Sequence, residues 1–187
     1  MATQITPDYP LLTADRFLEM DFGEDKAELD NGVVRMMAGG SARHAEVAAN
    51  IISTLRLLLR GSGCKPYGSD MALKTHDFSV RLPDVAVFCG KNDPAFDTAK
   101  AFTDPRVLFE VLSGSTARTD LRVKLDEYKA LPSVDTIVFV DIATERLRVL
   151  QRTAPRAWSD VAHDAPADLA LPALSLTLPH AEIFARD

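Results

Sequence analysis

No stretch of the 187 residues comes near the ~20 consecutive apolar positions of a membrane-spanning helix, so no membrane association is expected. Cysteine is scarce. Cys64 and Cys89 fall in expected strands without metal-ligand spacing, and they read as free buried thiols in a reducing cytoplasm. Basic charge is in deficit: 21 Lys and Arg stand against 27 Asp and Glu, a net charge of −6. That counts against a simple nucleic-acid-binding domain, which rests on basic surface. It does not exclude a nuclease, whose metals and local basic groups can meet the phosphates. The opening residues, Met-Ala-Thr-Gln-Ile-Thr-Pro-Asp-Tyr, have neither a basic start nor an apolar stretch, so no secretory signal is expected. Internal repeats and low-complexity tracts are absent as well.

What is present is ordinary for a soluble globular chain: 47% apolar and 26% charged residues. The length suits one domain over residues 1–187, with a sizeable core. Residues 1–12 read as an irregular arm. Thr13 can cap a short helix to about Met20, with Phe17, Leu18 and Met20 inward. Residues 27–37 predict a hairpin turning on Asn31-Gly32. Gly39-Gly40 breaks the chain, and Ser41 caps a helix whose apolar positions are Ala45, Ala48, Ile51, Ile52, Leu55, Leu58 and Leu59. Gly61 and Gly63 end it.

Strands are expected at 69–75, 83–89 and 107–112, the last two apolar enough to be covered on both faces. Residues 90–106 read as a long polar loop. A helix is expected over 117–131, with Leu121, Leu125, Tyr128 and Leu131 on one side. A buried strand follows from Val134 to Val140, then an edge strand at 145–152 and a loop from Ala154 to Ala167. Leu174 to Leu178 can form a last short strand, and Pro179 opens a final helical turn with Ile183 and Phe184. The expected class is α/β or α+β: a mixed sheet flanked by helices.

Two of these strands carry an acid where burial is costly. Asp84 opens Arg81-Leu82-Pro83-Asp84-Val85-Ala86-Val87, and Glu110 stands inside Val107-Leu108-Phe109-Glu110-Val111-Leu112. If the strands are neighbours, ~4.8 Å apart, carboxylates from one face of each can share a Mg²⁺. Alternation permits this, since Asp84, Ala86 and Phe88 share one face and Leu108, Glu110 and Leu112 share one face. A metal held there polarises a scissile phosphate and activates water. Lys124, on the next helix, can orient that water and offset charge developing on phosphorus. Asp120, Lys124 and Tyr128 form one stripe at four-residue spacing.

Ordinary alternatives exist for each residue. Asp84 can start a strand at the solvent edge, Glu110 can be salt-bridged to an arginine, and Asp120 with Lys124 can be a helix ion pair. His44, in the first turn of the long helix, can contact a phosphate or merely cap. Ser113, Ser115 and Thr116 read as caps and turn formers. His76, His163 and His180 have no metal spacing.

Taken in order, several stretches resemble the Uma-two-type proteins of the restriction-endonuclease-like, PD-(D/E)xK, superfamily. They are Ala-Glu-Leu-Asp-Asn-Gly-Val-Val (27–34), Ser-Ala-Arg-His-Ala-Glu-Val-Ala (41–48), Arg-Leu-Pro-Asp-Val-Ala-Val (81–87) and Phe-Glu-Val-Leu-Ser-Gly-Ser-Thr (109–116). Asp-Leu-Arg-Val-Lys-Leu-Asp-Glu-Tyr (120–128) and Val-Asp-Thr-Ile-Val-Phe-Val-Asp (134–141) complete the set. The resemblance implies a restriction-endonuclease-like core of order α-β-β-β-α-β over about 41–153, preceded by the hairpin. It also implies an endonuclease site dependent on Mg or Mn, with Asp84 and Glu110 as metal ligands.

The strand sequence Glu110-Val111-Leu112 departs from the usual Glu-x-Lys, and the resemblance places the lysine at Lys124 instead. Gly114 replaces a proline common between the two serines. Glu28 and His44 also match family positions and, with Asp120 and Tyr128, are secondary candidates. The expected substrate is nucleic acid, DNA first, in a cytoplasmic protein. The alternative is a catalytically silent binding or regulatory module that keeps the nuclease fold. The apolar strands near 134–152 and Ile183-Phe184 are candidate surfaces for a homodimer.

Overall fold

The structure, a computed structural model, describes residues 11–90, 96, 98–112 and 117–186, and for 117–121 the backbone alone. Most of the expected arm lies outside the described residues, as do Ser113, Gly114, Ser115, Thr116 and the side chain of Asp120.

Local chemistry sets the first elements. Thr13 caps α1 (Ala14–Leu18), its Oγ1 accepting the Arg16 N–H at 3.4 Å. Phe17 is buried, but Met20 is 47% exposed, because the helix ends before carrying it inward. Strands β1 (Ala27–Asp30) and β2 (Val33–Met36) form the expected hairpin. Its turn places Asn31 and Gly32 at φ of 47° and 81°, the paired positive values that suit strand twist. Ser41 caps α2 (Ala42–Leu58), with its Oγ accepting the His44 N–H at 3.2 Å. The buried seam of α2 runs through Val47, Ile51 and Leu55 to Leu59. Leu58, expected inside, is the last residue of α2 and faces solvent.

The remaining elements are β3 (Cys64–Gly68), β4 (Ala72–His76), β5 (Ser79–Arg81), β6 (Val85–Cys89), β7 (Ala101–Phe102), β8 (Val107–Leu112), α3 (Ala117–Ala130), β9 (Thr136–Asp141), β10 (Arg146–Ala154), β11 (Ala157–Ala162), β12 (Leu169–Leu171), a short 3₁₀ turn (Pro172–Leu174), β13 (Leu176–Leu178) and α4 (His180–Ile183). The main sheet runs β11-β10-β9-β8-β6-β3, and a second sheet runs β2-β1-β5-β4-β7. Strands β8 and β9 are parallel and joined through α3, whereas β6 is antiparallel to both its neighbours.

The α-β-β-β-α-β succession is therefore α2, β3, β6, β8, α3, β9. Its first strand is 64–68, not the expected 69–75, most of which goes to the second sheet. Cys-Lys-Pro-Tyr-Gly is a weak strand sequence, and its proline is tolerated because β3 is an edge. Strand β10 is not an edge, because β11, formed from the expected loop, pairs along it.

Alternation along β6 and β8 builds two cores. Val85, Val87, Val107, Phe109 and Val111 pack with α2, α4 and the β12–β13 hairpin. Ala86, Phe88 and Leu108 pack on the opposite face with Tyr128 and Leu131 from the α3 side, and with Leu73 and Phe102 of the second sheet. Ile183 and Phe184, 0% and 6% exposed, belong to the first of these cores and offer no surface to a partner. Most of β9 is likewise covered. Arg152 anchors the end of α3, donating to the carbonyls of Lys129 and Leu131 at 3.1 and 2.7 Å.

The cysteines overturn their expectation. Cys64 and Cys89 stand opposite each other in the β3–β6 register and are joined in a disulfide. The thiol-based case for a reducing compartment therefore falls. Among the described residues, no helix is long and apolar enough to cross a membrane.

Candidate active site

Strand pairing brings the two acids together. Val85 faces Phe109 and Ala86 faces Leu108; one step further, the same register sets Asp84 across from Glu110. Asp84 lies at the mouth of β6, where its Oδ2 accepts the Val111 N–H at 2.7 Å. Its Oδ1 lies 3.3 Å from His44 Nε2, on the first turn of α2. The hydrogen bond to Asp84 raises the His44 pKa, against the opposing effect of burial.

Glu110 is 7% exposed, and its Oε1 accepts the Tyr128 hydroxyl proton at 2.6 Å. Among the described residues, no arginine forms a salt bridge with it. Burial pushes its carboxyl up to about 7; the Lys124 charge opposes the rise and the Asp84 charge adds to it. Burial, with the nearby Glu110 charge, holds the Tyr128 hydroxyl well above its ordinary range, so it remains a donor.

Lys124 is reached from a different direction. Its Nζ donates to Glu28 Oε1 at 2.9 Å, and the same oxygen accepts the Leu82 N–H at 2.9 Å. Asp84 with His44, Glu110 with Tyr128 and Lys124 with Glu28 thus form three bonded pairs, and the charges of Lys124, Asp84 and Glu28 all act on the Glu110 carboxyl. The remaining candidate, Asp120, has its side chain outside the described residues. A surface cleft of about 420 Å³ lined by Asp15, Lys74 and Lys100 contains none of these groups.

Three residues escaped the sequence reading. Arg81 is fully buried at the end of β5. Its Nε and Nη2 donate to the two Glu127 carboxylate oxygens at 2.8 and 2.6 Å, and Nη2 also donates to Asp30 at 2.9 Å. Its Nη1 is 3.5 Å from Glu28 Oε2. Burial opposes the Arg81 charge, but the Glu127 and Asp30 carboxylates more than restore it. Helical spacing could have found Glu127, which lies three residues past Lys124 on the same face. Arg81 and Asp30 gave no such signal, because their partnership depends on strand pairing.

The donor set suits a hard divalent cation. Two carboxylates converge, and the buried one resists ionisation in a way that added positive charge would relieve. Among the described residues, no group of three or more His, Cys, Asp or Glu forms a ready metal cage. Asp84 and Glu110 would hold such an ion, leaving its other positions to water and substrate, as Mg²⁺ sites commonly do.

The comparisons with known proteins agree with this architecture. The chain is 28% identical over 150 residues to the uncharacterized protein sll1609 of Synechocystis sp. (strain ATCC 27184 / PCC 6803 / Kazusa), covering 79% of this chain and 85% of that one. It is 23% identical over 171 residues to slr1290 of the same organism, covering 90% and 89%. The crystal structure of "a putative nuclease belonging to DUF820 from Anabaena variabilis ATCC 29413" matches with a TM-score of 0.75 over 93% of this chain and 98% of that one. At 17% identity, that likeness establishes a shared fold. A family model described as "Uma2: Putative restriction endonuclease" matches residues 14–181, and on that match the chain belongs to the Uma2 family.

Proposed function

We propose that this protein is an endonuclease that hydrolyses phosphodiester bonds of nucleic acid, DNA first, with the help of Mg²⁺ or Mn²⁺. The observation that carries this proposal is the meeting of Asp84 and Glu110 on paired strands, with the Lys124 charge acting on the same carboxyl. Asp84 and Glu110 are the metal ligands. The bound ion supplies Lewis-acid charge to the phosphate and eases deprotonation of water.

The chain's own groups do the rest. The Val111 N–H fixes the Asp84 carboxylate, and the Tyr128 hydroxyl fixes Glu110. The Lys124 ammonium faces the charge that develops on phosphorus and orients the attacking water. His44, on the first turn of α2, adds a polar contact for a phosphate at a helix N-terminus.

The test is cleavage of plasmid and single-stranded DNA by purified protein with Mg²⁺ or Mn²⁺. The Asp84→Ala, Glu110→Ala double variant should lose at least about 100-fold in rate, the scale of removing one strong electrostatic stabiliser. Cleavage unchanged in that variant rules the site out.

A second reading is a catalytically silent module. It is favoured by Leu112, which stands where the superfamily pattern has lysine, and by the net charge of −6. Calorimetric titration with Mn²⁺ separates the two, since a silent module need not bind the ion.

A further inference from the structure

Glu28 is 4% exposed and lies on β1, outside the main sheet that carries the paired acids. A buried carboxylate needs donors, and Glu28 has them, but unevenly. Its Oε1 takes two short bonds, from Lys124 Nζ and the Leu82 N–H, both at 2.9 Å. Arg81 meets its Oε2 only at 3.5 Å. Arg81 makes its short bonds to Glu127 and Asp30 through Nε and Nη2, and turns only its Nη1 to Glu28. One of the short contacts of Glu28 is to the Lys124 ammonium, a compact charge at the end of a flexible four-carbon stem. Arg81 contributes from the other side. By gripping both oxygens of Glu127, it fixes the face of α3 from which Lys124 projects, three residues earlier. Buried ion pairs often break even against apolar replacements, so stability alone is a weak reason to keep this one.

We propose that Glu28 is a positioning residue for Lys124, and that the second sheet, through Glu28 and Arg81, holds the amine over the paired acids. The proposal rests on the role given to Lys124 above. Glu28 is neither a metal ligand nor a catalytic residue; it acts through the ammonium it holds. A substitution that keeps its shape and removes its charge should damage turnover while leaving ion binding intact.

The experiment is a double-mutant cycle on plasmid cleavage with Mn²⁺, using wild type, Glu28→Gln, Lys124→Met and the double variant. Thermal midpoints and calorimetric Mn²⁺ titrations accompany it. Glu28→Gln should lower kcat about 10–100-fold, the scale of losing an outer-shell partner. KM and Mn²⁺ affinity should stay within about threefold, and the loss added to Lys124→Met should also be within about threefold. Losses that multiply in the double variant overturn the proposal, as does a Glu28→Gln protein with full kcat or with weakened Mn²⁺ binding. If Glu28→Gln does not fold, Glu28→Asp, which draws the charge back by one methylene, takes its place with the same expectations.

A wild type that cleaves nothing refutes the proposed function separately. Positioning is then read from ¹⁵N-labelled lysine. The Lys124 ammonium protons, sheltered by burial and the Glu28 bond, should give a signal that disappears in Glu28→Gln. An unchanged signal overturns the proposal.

Discussion

Replacing Arg81 by methionine is the most demanding test of the packing between the two sheets. Methionine fills a similar unbranched volume with little strain, so the perturbation is chiefly electrostatic. Three carboxylates lose a partner, but not equally. Glu28 keeps the Leu82 N–H and Lys124, and Asp30 keeps Arg35 at 2.7 Å. Glu127 is left with the Thr75 hydroxyl at 2.8 Å and His76 at 3.7 Å. The damage therefore concentrates at one buried carboxylate. Removing one member of a buried pair costs about 3–5 kcal/mol, which lowers Tm by roughly 6–20 °C in a chain of this size.

The loss should also depend on pH. Burial raises the carboxyl pKa values of Asp30 and Glu127, but their arginine partners outweigh it, and both lie below their ordinary values. A lowered folded pKa means stabilisation that is complete above the unfolded values of about 4 and lost as pH falls through the folded ones. The gap in Tm between wild type and Arg81→Met should accordingly be widest near pH 7 and shrink on acidification toward pH 3. Circular dichroism melts across that range measure it. Adding Glu127→Met should recover much of the loss, since an apolar pair in place of an ion pair is often neutral. A Tm change under about 2 °C at pH 7, or a gap that does not shrink in acid, would refute the reasoning.

Other perturbations test separate parts of the structure. Gly32→Ala forces a Cβ to 2.8 Å from Leu11 Cβ at a φ of +81°, and should cost about 1–3 kcal/mol by urea unfolding. Reducing the disulfide opens a closure of sequence separation 25 and should cost about 3.5 kcal/mol. Mass spectrometry under alkylating conditions checks that the bond is present, and an unchanged melt after reduction contradicts the estimate. Tyr128→Phe removes the hydroxyl bonded to Glu110 at 2.6 Å, and should weaken Mn²⁺ binding or cleavage by about 10–100-fold with secondary structure intact.

The legible parts of the site were those that break a local pattern. An acid within an apolar strand is anomalous wherever that strand goes, so Asp84 and Glu110 stood out. Helical spacing put Lys124 and Tyr128 on one stripe, and the family resemblance pointed to Lys124 as the amine of the candidate site. Arg81 looked like any charged residue at a strand end, because its partners Glu28 and Glu127 lie 53 and 46 positions away. The edge strand β3 was obscured by Pro66 and Gly68, and β11 by a run of exposed residues with little apolar alternation.

The order of amino acids alone determined the Asn31-Gly32 hairpin, the Ser41 cap and the two buried strands with their acids. Each is settled by φ/ψ preference or side-chain period within a few residues. Tertiary structure decided which strand entered which sheet, the Cys64–Cys89 bond, the burial of Ile183 and Phe184, and the hold of Glu28 on Lys124. Those outcomes depend on registers that distant segments share, and a register is chosen by the total cost of burying charge and apolar surface together.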